Sequence, residues 1–336
     1  MRRNDTVPKG TVHRLYLDST ALCGNMLSDP TLRIVDVYVP AGRNATSLPL
    51  LVDLVGFTGG GPSHTNWKNF GENVPERLDR LIGTGIMTPT IVAFPDCFTR
   101  LGGNQYINSA AIGRWSDFLI DEMLPLVEGR FACGGSGRRG VFGKSSGGYG
   151  AITHALVHSD IWAAAACHSG DMGFEQVYLP DLYATLRLLG RHGCSIKGFI
   201  EQFESARKAN DADIHALMML AMAASYDPDP ASFLGIRLPA DLETGEIIAD
   251  RWNNWLAWDP VRLADHHAER LKSLKGLFID CGSDDQYNLV FGARQLHRKL
   301  EAAGVAHRYE EFADNHSSID YRMDISLPYL AAALDR

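Results

Sequence analysis

Ser145 stands in the frame Gly143-Lys144-Ser145-Ser146-Gly147-Gly148. Such a serine carries chemistry when it sits on a tight turn between a strand and a helix, where strained backbone projects its hydroxyl from the sheet. The flanking glycines permit that turn, because a Cβ at either place would collide with neighbouring backbone. The hydroxyl is a weak nucleophile near neutral pH. It needs a histidine to take its proton and a carboxylate to orient that histidine. The chemistry on offer is attack on an acyl carbonyl through a covalent intermediate.

In this arrangement the partners follow in the order serine, acid, histidine, on loops after late strands. Asp285 fits the acid: an apolar strand ends at Gly282, and Ser283-Asp284-Asp285 follow as a tight loop. Asp284 competes with it, and capping the helix that follows is the competing role for either aspartate. Asp285 is favoured because the Gly-x-x-Asp spacing turns the loop back toward the histidine. His316 fits the base, in the polar loop after Glu310-Glu311-Phe312 and before the last helix. His168 ends a strand but precedes the acid, so it reads as structural or pocket-lining. His266 and His267, beside Asp265 and Glu269, read as a solvated helix face and not a metal site, since no HExxH or CxxC spacing supports one.

A developing oxyanion needs two backbone N–H groups. Ser146, directly after the nucleophile, supplies one. The other is expected from the loop Gly56-Phe57-Thr58, with Phe57 preferred over Thr58. Trp67, Tyr106 and Trp255 are candidate pocket aromatics, with plain packing as the competing reading. Gly143-Lys144-Ser145 is not a phosphate-binding loop, because position 138 is arginine where the P-loop spacing wants glycine.

The elements that must hold these residues read as strands alternating with helices. Residues 12–17 and 32–39 alternate apolar and polar, while 49–55 and 90–95 are nearly continuous apolar runs, as strands buried on both faces are. A helix is expected near 75–82 and helical periodicity spans 112–127. Residues 139–142 form the strand before Ser145, and 149–156 the helix after it. From about 171 to 252 the alternation breaks into helical candidates at 182–189, 196–207 and 214–224, with a hairpin expected around Thr244-Gly245. It resumes with a strand at 277–281, a helix at 290–303, a strand at 307–312 and a final helix. The expectation is a single α/β domain over 1–336: a mostly parallel central sheet with helices on both faces, and 171–252 as a largely helical, cap-like insertion.

With 45% hydrophobic and 21% charged residues, the chain has the composition of a globular protein with a full core. The formal charge of −8 argues against a nucleic-acid binder. The basic start Met1-Arg2-Arg3 is followed by no apolar stretch, and no run of about 18 apolar residues is present, so neither a signal peptide nor a membrane span is expected. The six cysteines are scattered without a CxxC pair and read as reduced thiols, which points to the cytoplasm.

Assembled, the residues resemble the putative-esterase family of α/β-hydrolases, which includes esterase D (S-formylglutathione hydrolase), feruloyl esterases and the antigen 85 mycolyltransferases. Residues 33–40 resemble the family's strand ending in VYLP. Tyr106-Ile107-Asn108-Ser109 and Ile120-Asp121-Glu122-Met123-Leu124-Pro125 resemble the approach to the nucleophile. Residues 143–151 resemble GHSMGGxGA, with Lys144 where histidine is usual. Trp255-Leu256-Ala257-Trp258-Asp259-Pro260 resembles the stretch before the acid strand. Residues 279–287 are similar to IDQGxxDQF, and Asn315-His316-Ser317 to DHS. The resemblance covers most of the chain outside 174–251. It implies an α/β-hydrolase fold, the triad Ser145, Asp285 and His316, and no metal or organic cofactor.

The function expected is a serine hydrolase of small-molecule carboxylic esters or thioesters. Alternatives are an acyltransferase on the same fold and a non-catalytic binder on a hydrolase scaffold. The middle insertion is longer than in esterase D and sets the substrate apart. A homo-oligomer is left open.

Overall fold

A computed structural model describes residues 6–42 and 45–335. The basic start, Met1 to Asp5, lies outside the described residues. Eight strands form one sheet: β1 (Thr11–Asp18), β2 (Leu32–Val39), β3 (Leu50–Leu54), β4 (Ile91–Pro95), β5 (Arg139–Lys144), β6 (Ala164–His168), β7 (Gly276–Gly282) and β8 (Arg308–Phe312). Their order is β1-β2-β4-β3-β5-β6-β7-β8. β2 pairs antiparallel with both β1 and β4, and the other neighbours are parallel. The central strands β3 to β7 are buried along almost their whole length, which is why they read as continuous apolar runs.

Two apolar layers flank the sheet. On one face Val74, Leu78 and Leu81 of the helix Val74–Gly83 join Leu327, Leu330 and Leu334 of the last helix, Met323–Leu334, over Phe94, Phe142 and Phe278. The larger core on the other face includes the helices Ser146–Val157, Pro260–Leu271 and Leu289–Ala302. Asn73 caps the helix Val74–Gly83 with a reciprocal capping box to Glu76, which accounts for its sharp start.

Between β6 and β7 the chain builds the helices Phe174–Gly190, Ile196–Ser205, Asp211–Tyr226 and Ala249–Leu256. Two local expectations need correction. The region expected as a hairpin is a turn at Asp241 to Gly245, closed by a single antiparallel bridge between Ala240 and Ile247. The helical span expected at 112–127 starts only at Trp115. It then widens into a π-turn over Phe118–Met123 before becoming α-helical at Leu124–Phe131. Pro125 has no N–H to donate back into the preceding turn, so a regular α-helical ladder cannot run through it.

All six cysteines are free. No described helix is long and apolar enough to cross a membrane.

Candidate active site

β5 delivers Ser145 to a sharp turn. Its backbone is at φ 59° and ψ −126°, a strained conformation for a residue with a Cβ. The Ser145 N–H donates to the His168 carbonyl at 3.0 Å, while its own carbonyl accepts from Tyr149 N–H at 2.8 Å, opening the helix Ser146–Val157. The flanking glycines are demanded by contact with β3. A Cβ on Gly143 would lie 2.3 Å from the Leu54 carbonyl oxygen, and one on Gly147 only 1.7 Å from the same atom.

β7 delivers the acid. Asp285 is fully buried, whereas Asp284 is exposed. The Asp285 carboxylate accepts from Tyr287 N–H at 2.9 Å through one oxygen and from His316 Nδ1 at 2.8 Å through the other. The His316 N–H donates to Gln286 Oε1 at 3.0 Å, and Tyr287 stands edge-on to the imidazole with ring centres 4.9 Å apart. These contacts fix the ring's orientation and place the second nitrogen away from the carboxylate.

Ser145 and His316 border one cavity of about 350 Å³, together with the loop from Val55 to Gly59. That loop leaves β3 and folds into a turn, with Gly59 N–H on the Gly56 carbonyl at 3.0 Å. A Cβ on Gly56 would stand 3.6 Å from the Ser145 Cβ, so this backbone runs alongside the nucleophile. Ser146 is buried; its hydroxyl lies 3.0 Å from Gln105 Nε2 and 3.3 Å from Asp171 Oδ2. The helices Phe174–Gly190 and Asp211–Tyr226 supply another wall, with Val177, Tyr178, Ile214 and Met218.

Of the two roles open to the candidate aromatics, lining the pocket or plain packing, none of the three lines the cavity. Tyr106 is buried, with its hydroxyl donating to the Val55 carbonyl at 2.5 Å, so it supports the loop from behind. Trp255 is buried among Tyr178 and Tyr226, with ring centres 5.7 and 5.5 Å away. Trp67 is 66% exposed and outside the cavity lining. In each case tertiary packing, invisible in local sequence, decides which side of the wall an aromatic occupies. His168 is structural: it bridges Asp280 at 2.7 Å and Ser326 at 2.8 Å in the core. His266 is exposed on the helix Pro260–Leu271. Among the described residues, no group of three His, Cys, Asp or Glu side chains is placed to hold a metal ion.

Several cavity groups escaped the sequence reading. Asp171 is buried and accepts from Gln105 at 3.3 Å and Tyr178 at 3.1 Å. Burial raises its pKa, against the nearby His316 and these hydrogen bonds. His64 meets Asp53 at 2.6 Å. Burial works against the charged imidazole, but the charge and hydrogen bond of Asp53 outweigh it, and the His64 pKa is raised. The signal for this pair was present: Asp53 is a carboxylate inside an otherwise apolar buried strand, which is tolerated only with a partner.

A family model described as putative esterase matches residues 32–327. No curated protein sequence matches. Among solved structures, a ferulic acid esterase shares 20% identity at a TM-score of 0.64, over 97% of this chain and 99% of its own. An S-formylglutathione hydrolase from Agrobacterium tumefaciens shares 16% at 0.58, over 98% of each chain. FphF, a fluorophosphonate-binding serine hydrolase of Staphylococcus aureus, shares 17% at 0.58, over 96% of this chain and 99% of its own. At these identities the likeness is one of fold, and that fold is the α/β-hydrolase.

Proposed function

The chain belongs to the putative esterase family, which makes it a carboxylic ester hydrolase, and from that premise we propose that it works as a serine hydrolase through an acyl-enzyme on Ser145. The observation that carries the reading is the convergence, in one cavity, of Ser145 on its strained turn, the His316–Asp285 couple and the Val55–Gly59 loop.

His316 takes the Ser145 proton through Nε2 as the oxygen attacks the carbonyl carbon. Asp285, bonded to Nδ1–H, holds the tautomer and stabilises the imidazolium that forms. The N–H groups of Phe57 and Ser146 are the proposed donors to the oxyanion, each worth about 3 kcal/mol in the transition state. His316 then protonates the leaving alcohol or thiol. Water, deprotonated by the same imidazole, attacks the acyl-enzyme and releases the acid.

The test is a panel of p-nitrophenyl, feruloyl and S-formylglutathione substrates, with fluorophosphonate labelling. The panel spans the substrates named for the structural neighbours. Ser145→Ala should lose turnover by about 10⁵-fold or more and lose labelling, at an unchanged melting temperature. Retained turnover in that variant rejects the assignment.

A further inference from the structure

The basic groups around the cavity are nearly all paired. His316 meets Asp285 at 2.8 Å, His64 meets Asp53 at 2.6 Å, and His215 meets Asp181 at 3.5 Å. Asp320, also on the cavity wall, is held by Lys68 at 2.7 Å. Lys144 differs. This residue borders the same cavity directly before the nucleophile, and among the described residues it has no carboxylate at ion-pair distance.

An ammonium in that position is costly. Burial pulls the Lys144 pKa below the ordinary lysine value, against the longer-range attraction of Asp320 and Asp285. Simple packing would be served better by an uncharged side chain of similar length. A cation kept half-buried at this cavity, on the residue directly before the nucleophile and without an ion pair, is matched by a ligand that brings the missing charge. The charge required is single. A phosphate dianion would call for more donors or a bidentate guanidinium, and Lys144 is a single point charge. The wall from the helices Phe174–Gly190 and Asp211–Tyr226 is different in kind, since Val177, Ile214 and Met218 offer hydrocarbon.

We propose that Lys144 is a subsite for a substrate carboxylate, so that the preferred substrate is an ester with an anionic group on one side of the scissile bond and an apolar group on the other. The proposal rests on the serine-esterase reading above and narrows its substrate class.

Two isosteric pairs place the charge on either half of the ester. p-Nitrophenyl hemisuccinate against p-nitrophenyl 4-methylpentanoate puts it on the acyl side, and meta-acetoxybenzoate against meta-acetoxybenzamide on the alcohol side. The readout is the ratio of kcat/KM for the charged over the neutral member. In at least one pair Lys144→Met should lower that ratio about tenfold or more, mainly through KM, while Lys144→Arg keeps it within about threefold. A ratio unchanged by Lys144→Met in both pairs overturns the proposal.

Should Lys144→Met not fold, the wild type decides. The ratio should fall as salt is raised to about 0.5 M, and a flat response in both pairs overturns the proposal. Failure of the esterase reading looks different: no member of either pair is turned over and Ser145 is not labelled. Calorimetric binding of monomethyl succinate to the wild type, weakened about tenfold in Lys144→Met or by salt, then tests the subsite by itself. Equal binding throughout rejects it.

Discussion

His64 Nδ1 lies 2.6 Å from Asp53 Oδ2, a histidine–carboxylate couple at the cavity as short as the 2.8 Å couple of His316 and Asp285. The two couples differ in their support. Asp285 uses both oxygens, on His316 and on the Tyr287 N–H, and follows β7 in the order expected for a triad acid. Asp53 sits within β3 and leaves its Oδ1 buried without a partner. His64 rides on the five-residue helix Gly61–Thr65, which Thr65 also ties to β2 through a hydrogen bond to Asp36 at 2.9 Å. His316→Gln is therefore expected to lower kcat/KM by about 10⁴-fold and His64→Gln by less than about tenfold, measured on a neutral p-nitrophenyl ester. The reverse ranking would move the general base to His64.

The His64 couple also makes a pH-dependent contribution to stability. Its imidazole has a raised pKa in the folded state because the charge and hydrogen bond of Asp53 outweigh burial. The folded chain thus holds that proton more tightly than the unfolded chain, where histidine titrates near about 6.5. The stabilisation is fully present below about 6.5 and disappears as the pH rises through the raised folded value. The melting-temperature gap between wild type and His64→Gln should be widest below about pH 6.5 and narrow as the pH rises above it. A gap that grows with pH contradicts this sign.

Asp284 and Asp285 are adjacent in sequence and separated by burial. Asp284 is exposed, with its backbone N–H on the Asp314 carbonyl at 3.1 Å. Asp285→Asn should cost about 10³- to 10⁴-fold in kcat, since an amide no longer selects the productive tautomer of His316. Asp284→Asn should stay within about threefold, because nothing buried depends on it. Steady-state kinetics on one ester distinguishes the two.

The elbow was legible in sequence because its requirement is local: glycines on both sides of Ser145, an apolar strand before it and a helix after it. Asp285 and His316 were legible because each follows a strand in a fixed chain order. The pocket aromatics were not. Tyr106 and Trp255 carry the same residue types whether they face ligand or core, and only packing against Val55, Tyr178 and Tyr226 separates the cases. Asp171 and Gln105 come from distant loops that meet only in the folded chain. The break at Pro125 was readable, since a proline within a helical pattern marks where the regular ladder must change.

Contact with β3 makes Gly147 a strict position. A Cβ there would overlap the Leu54 carbonyl at 1.7 Å, and backbone cannot yield as a flexible side chain does. Gly147→Ala should therefore cost about 3 kcal/mol or fail to accumulate as folded protein, measured by urea denaturation. Gly190→Ala serves as the control. A Cβ at Gly190 meets nothing within 4 Å, and the residue ends the helix Phe174–Gly190, so the change should be neutral or stabilising by a few tenths of a kcal/mol.

Tyr106 joins the core to the proposed oxyanion loop. Its hydroxyl donates to the Val55 carbonyl at 2.5 Å, one residue before Gly56 and two before Phe57. The ring is buried, so Tyr106→Phe keeps the packing and removes one buried hydrogen bond, leaving the Val55 carbonyl without that donor. The cost in stability should be about 1–2 kcal/mol. If the bond also sets where the Phe57 N–H stands, kcat falls about tenfold while KM changes little, because an oxyanion donor acts in the transition state. A purely structural tyrosine would lower the melting temperature and leave kcat intact below it. Kinetics and melting of this one variant therefore separate support of the loop from support of the core.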